Sequence, residues 1–432
     1  MSISLSTGLR ACWLTLLLIA GPLPARAQSG SFEGSVIDYL NAEVNDPVAQ
    51  LAARIAAGEQ ALAYDERHGY LPAVLSALHI PVSSQTLVFS KTSLQLQRIS
   101  PRRPRALYFN DEVYVGWCQR GDVLELAATD PRQGATFYTL KQAPDEQPRF
   151  IRDRGQCLSC HASSRTQDVP GYLIRSVFAD SAGHPILGSG TYTTDHTSPF
   201  EERWGGWYVT GKHGDMRHMG NQIFSQRDPR SEAREAGANR ETIADLFATE
   251  AYLTPHSDLV ALLVLEHQTQ MQNAIAAANY ETRLALAQST EMNALLGREP
   301  GYVSESAERR IDSAAERVVS YLLFRDEFLL QSPVSGTSGF ADEFASRGRR
   351  DPQGRSLRDF DLNTRLFRYP CSYLIESAAF DALPDEVRVR VIARLKRILR
   401  DGEEASRYPH LTSTVREELH QILAFLKPEF RD

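Results

Sequence analysis

Between Ser84 and Leu140 the chain carries five short runs rich in β-branched and aromatic residues, and their close spacing limits what this region can fold into. The runs are Thr86 to Phe89, Ala106 to Phe109, Val113 to Trp117, Val123 to Leu126 and Thr136 to Leu140. Asn110-Asp111, Arg120-Gly121 and Asp130 to Gly134 fall between them as turn signals. The pattern reads as an antiparallel sheet. Tyr172 to Phe178 and Ile186 to Thr193 read as two more strands joined across Asp180 to Pro185, and Trp204 to Val209 as a further one.

The flanks have a different period. From Ser31 to His79 the pattern is helical: Asp46-Pro47 supplies an N-cap and a first-turn proline, and Val48, Leu51 and Ile55 then recur at helical spacing. A second helix is predicted over Tyr70 to Leu78. Beyond Asn239 the chain turns helical again, with a long helix starting at Thr254-Pro255 and others at Ala307 to Leu330, Tyr373 to Phe380, Pro384 to Leu399 and Thr414 to Leu426. Ser332 to Arg358 reads as a connector. The fold class is therefore α+β: short N-terminal helices, a central antiparallel β-rich region and a mainly helical C-terminal half. The predicted organisation is a leader over 1–27, a helix-plus-β region over 28–238 and a helical region over 239–432 packed against it.

The leader has the layout of an export signal. Arg10 is its positive flank, Ala11 to Pro24 its short apolar run, and Ala25-Arg26-Ala27 its small-x-small cleavage site. The run is shorter than the roughly 20 residues a membrane-spanning helix needs, and no second stretch of that length follows. The mature protein is expected in the periplasm or outside the cell, with no membrane span. The formal net charge is −7, more negative once Arg10 and Arg26 leave, which argues against general nucleic-acid binding and leaves docking to a basic partner open.

Beyond Cys12 in the leader, the cysteines are Cys118, Cys157, Cys160 and Cys371. Two of them lie in Cys157-Leu158-Ser159-Cys160-His161, a C-x-x-C-H pattern. This is the attachment pattern of haem c, in which both thiols form thioethers and the adjacent histidine gives an axial nitrogen to iron. A thioredoxin-like pair needs no histidine there, and a zinc site needs a second ligand pair that Cys118 and Cys371, standing alone, do not provide. Both of those read as buried thiols or as a structural disulfide with each other.

The pentapeptide and the leader together resemble c-type cytochromes, and the whole chain is similar to secreted proteins with a single such motif. The resemblance implies one covalent haem and a redox role. It rests on five residues. Unlike compact helical cytochromes, this chain embeds the motif in β-rich sequence.

The second face of the iron decides between electron transfer and small-molecule chemistry. His267 is one candidate ligand, at the centre of a helical apolar stripe with Val260, Val264, Met271 and Ile275; the same position suits a satisfied core histidine. Lys212 to Met219 offers Met216 and Met219, of which Met219 is the other candidate; otherwise this stretch is a polar surface turn. His196 and His184 lie beside turn residues, where a solvated histidine is the default. Trp204, Trp207 and Tyr208 suit core packing or a porphyrin face. Arg98, Arg102, Arg103 and Arg105 read as a solvated charge run, with pairing to haem propionates or to an acidic partner as the functional alternative.

The leading expectation is thus a periplasmic mono-haem cytochrome relaying single electrons to a redox partner protein. The alternatives are a peroxidase- or oxidase-like haem enzyme with an open iron position, and a haem-based sensing or binding module. No carboxylate pair has spacing that supports acid/base catalysis.

Overall fold

The computed structural model describes residues 31–144, 147–225, 228–402 and 404–431. The leader, with Arg10, Cys12 and Ala25 to Ala27, lies outside the described residues.

Asp46 caps the first helix, α1 (Pro47–Ala56), its Oδ1 accepting from the backbone N–H of Val48 and Ala49. Its other oxygen, Oδ2, accepts from the Thr136 and Tyr138 hydroxyls of the sheet, so one buried carboxylate fixes both the start of α1 and its seat. Helix α2 (Leu71–Ala77) follows, then strands β1 (Thr86–Val88), β2 (Arg105–Phe109), β3 (Val113–Trp117), β4 (Val123–Asp130), β5 (Gly134–Lys141) and β6 (Phe150–Arg152). With β9 (Trp207–Tyr208) they form a seven-stranded antiparallel sheet ordered β6-β5-β4-β3-β2-β1-β9. The five runs expected as strands up to Leu140 are all present.

Alternation along each strand sorts side chains to two faces. Ala106, Tyr108, Val113, Val115, Leu124, Leu126 and Leu140 face α1, α2 and the Ile243 to Tyr252 segment. Phe109, Tyr114, Ala135 and Phe137 face the larger core built around α4 (Leu259–Leu296). The sheet is therefore a filling between two helical layers.

Several expected boundaries move, each for a visible reason. The Tyr172 to Phe178 strand shrinks to β7 (Arg175–Val177), because the Asn273 side chain bonds both the N–H and the carbonyl of Tyr172 where a strand partner would. Its partner is β8 (Thr191–Thr193), cut short by left-handed Gly188 and Gly190. Helix α4 starts at Leu259 rather than near Thr254, since Asp258 is its cap, and ends at left-handed Gly297. Helix α5 (Glu305–Leu322) packs back along α4 and stops eight residues before Leu330, with Phe324 and Asp326 in the left-handed region. The connector holds helix α6 (Phe340–Ser346), and the Tyr373 to Phe380 helix is a 3-10 turn (Tyr373–Glu376) followed by α7 (Ala378–Asp381). Helices α8 (Asp385–Lys396) and α9 (Ser413–Leu426) complete the C-terminal layer. Among the described residues no helix is long and apolar enough to cross a membrane.

Candidate functional site

The C-x-x-C-H segment forms one helical turn, α3 (Leu158–His161), against the sheet. Asp153 organises its entry: Oδ2 accepts from the N–H of Gly155 and of Cys157, both at 3.0 Å. The Cys157 carbonyl accepts from the N–H of Cys160 at 3.2 Å and of His161 at 2.9 Å. Leu158 anchors the turn in the core, Cys157 is half-buried and Cys160 is exposed. Burial, with Asp153 and Glu125 nearby, pushes the Cys157 thiol up to about 12.

His161 is held in one tautomer. Its Nδ1 lies 2.9 Å from the Gly171 carbonyl, which can only accept, so Nδ1 carries the proton. Nε2 is left as a free base. An outer hydrogen bond from the far ring nitrogen is what orients a metal-binding imidazole. The ring packs on Phe137, with centroids 4.9 Å apart, and burial holds it below its ordinary pKa, in the neutral form that ligation requires. The supporting carbonyl is itself placed by Thr166, whose hydroxyl ties Ser163 to Val169 and steers the chain to Pro170-Gly171.

Alongside Asp153 and Glu125, the charges around the turn include two arginines, each with a nitrogen that has no partner. Arg105 pairs with Glu125 at 2.7 Å and acts electrostatically on both Cys157 and His161. Arg175 stands in the same relation to Cys160. The Nε atoms of both arginines are buried without a hydrogen-bond partner. A haem carries two carboxylates and needs two thiols, one free imidazole nitrogen and cations, so this donor set fits it. Of the arginine-rich stretch, Arg105 lies at the motif, while Arg98 pairs with Asp122 on the surface. Cys118 and Cys371 are buried free thiols, so the bridge between them is not formed. Among the described residues no three His, Cys, Asp or Glu side chains converge to hold a bare metal ion.

His267 and Met219 are engaged elsewhere and share no hydrogen-bond or ring partner with His161. His267 Nε2 lies 2.8 Å from the Ser372 hydroxyl and its Nδ1 3.1 Å from Nδ1 of His196, with Phe324 stacked 4.1 Å from its ring. Met219 is fully buried beside Phe178 and Phe224, its sulfur accepting from the Ser176 hydroxyl. Met216 is buried as well, as are His213 and His218, so within the Lys212 to Met219 stretch only Lys212, Gly214 and Asp215 are exposed. His196 is also buried rather than solvated, whereas His184 is exposed. Trp204 and Trp207 pack in the main core and Tyr208 on the opposite sheet face.

Sequence reasoning missed Glu125, Gly116, and the buried pair Arg203–Glu266 at 2.7 Å beside the two histidines. The aromatic run that begins at Trp204 was the available signal for the last, since an arginine heading such a run is drawn into the core.

The buried histidines make stability pH-dependent. Burial lowers His196 to about 4 and holds His267 and His218 well below the ordinary range. In the unfolded chain each titrates near 6.5. Protonation therefore favours the unfolded state as pH falls, so the stability is full above about 6.5 and is lost between 6.5 and about 4. His196 alone contributes roughly 3 kcal/mol over that window. Buried Glu266, pushed up to about 7, takes up a proton over the same window and acts in the opposite sense. The check is therefore a difference: between pH 7 and pH 4.5 the urea denaturation midpoint of the wild type should drop relative to that of His196→Gln.

Comparison with protein-family models, with curated proteins and with solved structures finds no match to this chain.

Proposed function

We propose that the chain is an exported mono-haem c-type cytochrome that passes single electrons to a redox partner protein. The observation that carries the reading is His161: its Nδ1–H is fixed on the Gly171 carbonyl, leaving Nε2 free beside two unbridged thiols on one turn. When bound, the haem would supply a one-electron Fe(III)/Fe(II) couple. Cys157 and Cys160 would hold it covalently, His161 would ligate the iron, and Arg105 and Arg175 would offset its carboxylates. Cys160 is exposed, which supports an attachment that would be open to a docked protein.

A second reading, a haem enzyme with an open iron position, is favoured by one observation: both candidate distal ligands are held in other clusters. Full-length protein exported from a host that matures c-type haem separates the two. Stoichiometric one-electron reduction and re-oxidation, with no carbon monoxide adduct of the ferrous form, supports the carrier. Ready carbon monoxide binding with fast peroxide turnover overturns it in favour of the enzyme. Under either reading His267→Ala and Met219→Leu, made singly, should leave the haem absorption spectrum unchanged, because neither side chain leaves its own cluster. Loss of a ligand signature in one of them would show that it moves to the iron.

A further inference from the structure

Along the sheet face nearest the motif, residues paired strand to strand form rows. One row is Phe109, Tyr114, Ala127 and Phe137; α4 side chains bond Tyr114, and His161 sits on Phe137. The next is Leu107, Gly116, Glu125, Thr139 and Ile151. That row is open only at its flanks: Leu107 and Thr139 are half-buried and Ile151 is 60% exposed, whereas at the centre Gly116 is buried beneath Arg105 and the Arg105 and Glu125 side chains are 15% and 12% exposed. The opposite face of the same strands is buried throughout β2 and β4 at Ala106, Tyr108, Leu124, Leu126 and Ala128. A sheet face left open at its flanks on one side only, with a charged pair across its centre, is a ledge with room for the edge of a flat apolar body.

Its centre is kept low by Gly116, where a β-carbon would come within 2.1 Å of the Arg105 guanidinium. Arg105 therefore lies across the ledge. One side of its guanidinium is paired with Glu125, and its buried Nε has no acceptor. Gln95 holds Glu125 in place from the far side, through its backbone N–H and its side-chain amide, and the residues flanking it, Leu94 and Leu96, are exposed apolar side chains.

We infer that Leu107, Thr139 and Ile151, on either side of the Arg105 side chain that lies over Gly116, seat one face of the haem and that Arg105 holds one of its carboxylates while remaining paired to Glu125. This rests on the cofactor reading above. Charge complementarity selects the occupant: an apolar plate bearing carboxylates matches a half-open apolar row crossed by a cation with an unused donor.

The test uses the full chain in its haem-loaded form, with wild type, Arg105→Gln, Arg105→Lys, Gly116→Ala and Arg98→Gln. Intact mass reports covalent haem, far-ultraviolet dichroism reports folding, and the midpoint potential with Soret dichroism reports the surroundings of the haem. Arg105→Gln should lower the potential, because a cation at the haem edge no longer disfavours the ferric state, and should change the Soret dichroism. Gly116→Ala should shift both in the same direction by displacing the guanidinium, Arg105→Lys should retain most of the wild-type potential, and Arg98→Gln should shift nothing. If Gly116→Ala fails to fold, Ile151→Asp replaces it; this exposed position should likewise lower the potential. The double variant Arg105→Gln/Glu125→Gln should keep a changed Soret dichroism, which the loss of Glu125's partner alone would not produce. Haem present with unchanged potential and dichroism in Arg105→Gln and in the ledge variant overturns this inference alone. A wild-type mass without haem defeats the cofactor reading itself.

Discussion

Replacing His161 with glycine should abolish nitrogen ligation to the haem iron in nearly every molecule while both thioether bonds survive, and added imidazole should restore it. The expectation follows from a division of labour within one helical turn. In the cofactor reading Cys157 and Cys160 would supply attachment, whereas the imidazole alone would supply a free nitrogen, fixed by the 2.9 Å contact of its Nδ1 with the Gly171 carbonyl. Free imidazole in the vacated space lacks the covalent tether but can use the same carbonyl. Absorption and paramagnetic resonance spectra of the ferric protein, with and without imidazole, check this. Unchanged spectra in His161→Gly would show that the motif histidine is not a ligand.

The largest stability effect should come from Arg203→Met. Arg203 is 3% exposed and Glu266 fully buried; the guanidinium bonds Glu266 Oε2 at 2.7 Å, the Ser198 carbonyl at 2.7 and 3.0 Å and the His196 carbonyl at 3.3 Å. The second Glu266 oxygen has no partner, and burial pushes the carboxyl up to about 7 against the pull of Arg203. Removing the cation takes away the pull that holds the carboxyl down to about 7. Above that pH an uncompensated carboxylate is left in the core at a cost of about 3–5 kcal/mol, a large part of the roughly 5–15 kcal/mol that holds a domain together. At lower pH protonation of Glu266 relieves part of the cost. Removing both charges should cost much less. Arg203→Met/Glu266→Leu is expected to recover most of the lost denaturation midpoint, because the price of the pair is desolvation rather than missing contacts. A double variant as unstable as the single one would mean that Arg203 works through its carbonyl contacts instead.

The parts of the fold governed by local patterns were legible. Asp46-Pro47 caps α1 as its spacing predicts, and the alternating runs up to Leu140 are strands because each must bury one face against α1 and α2. The join of β9 to β1, Leu87 opposite Tyr208, is not a local property, and nothing in either run names the other. The long helix shows a different failure. A stripe argument for His267 presumes a solvent face, but α4 is buried all round from Leu259 to Tyr280, its polar stretch from Glu266 to Asn273 included. The stripe therefore says nothing about what His267 meets, which is His196 from a distant loop. The candidate site divides in the same way: Cys157, Cys160 and His161 are read from five consecutive residues, while Arg105, Gly116 and Glu125 reach them only through the sheet register.

Everything proposed for this chain depends on one haem being bound to Cys157 and Cys160 through thioether bonds after export. Its most direct test is the intact mass of the denatured, matured protein, taken with its alkaline pyridine spectrum. The account expects the mass of the polypeptide from Gln28 onward plus one haem, and a haem c band that survives acid-organic extraction. The mass of the bare polypeptide with no such band would contradict it.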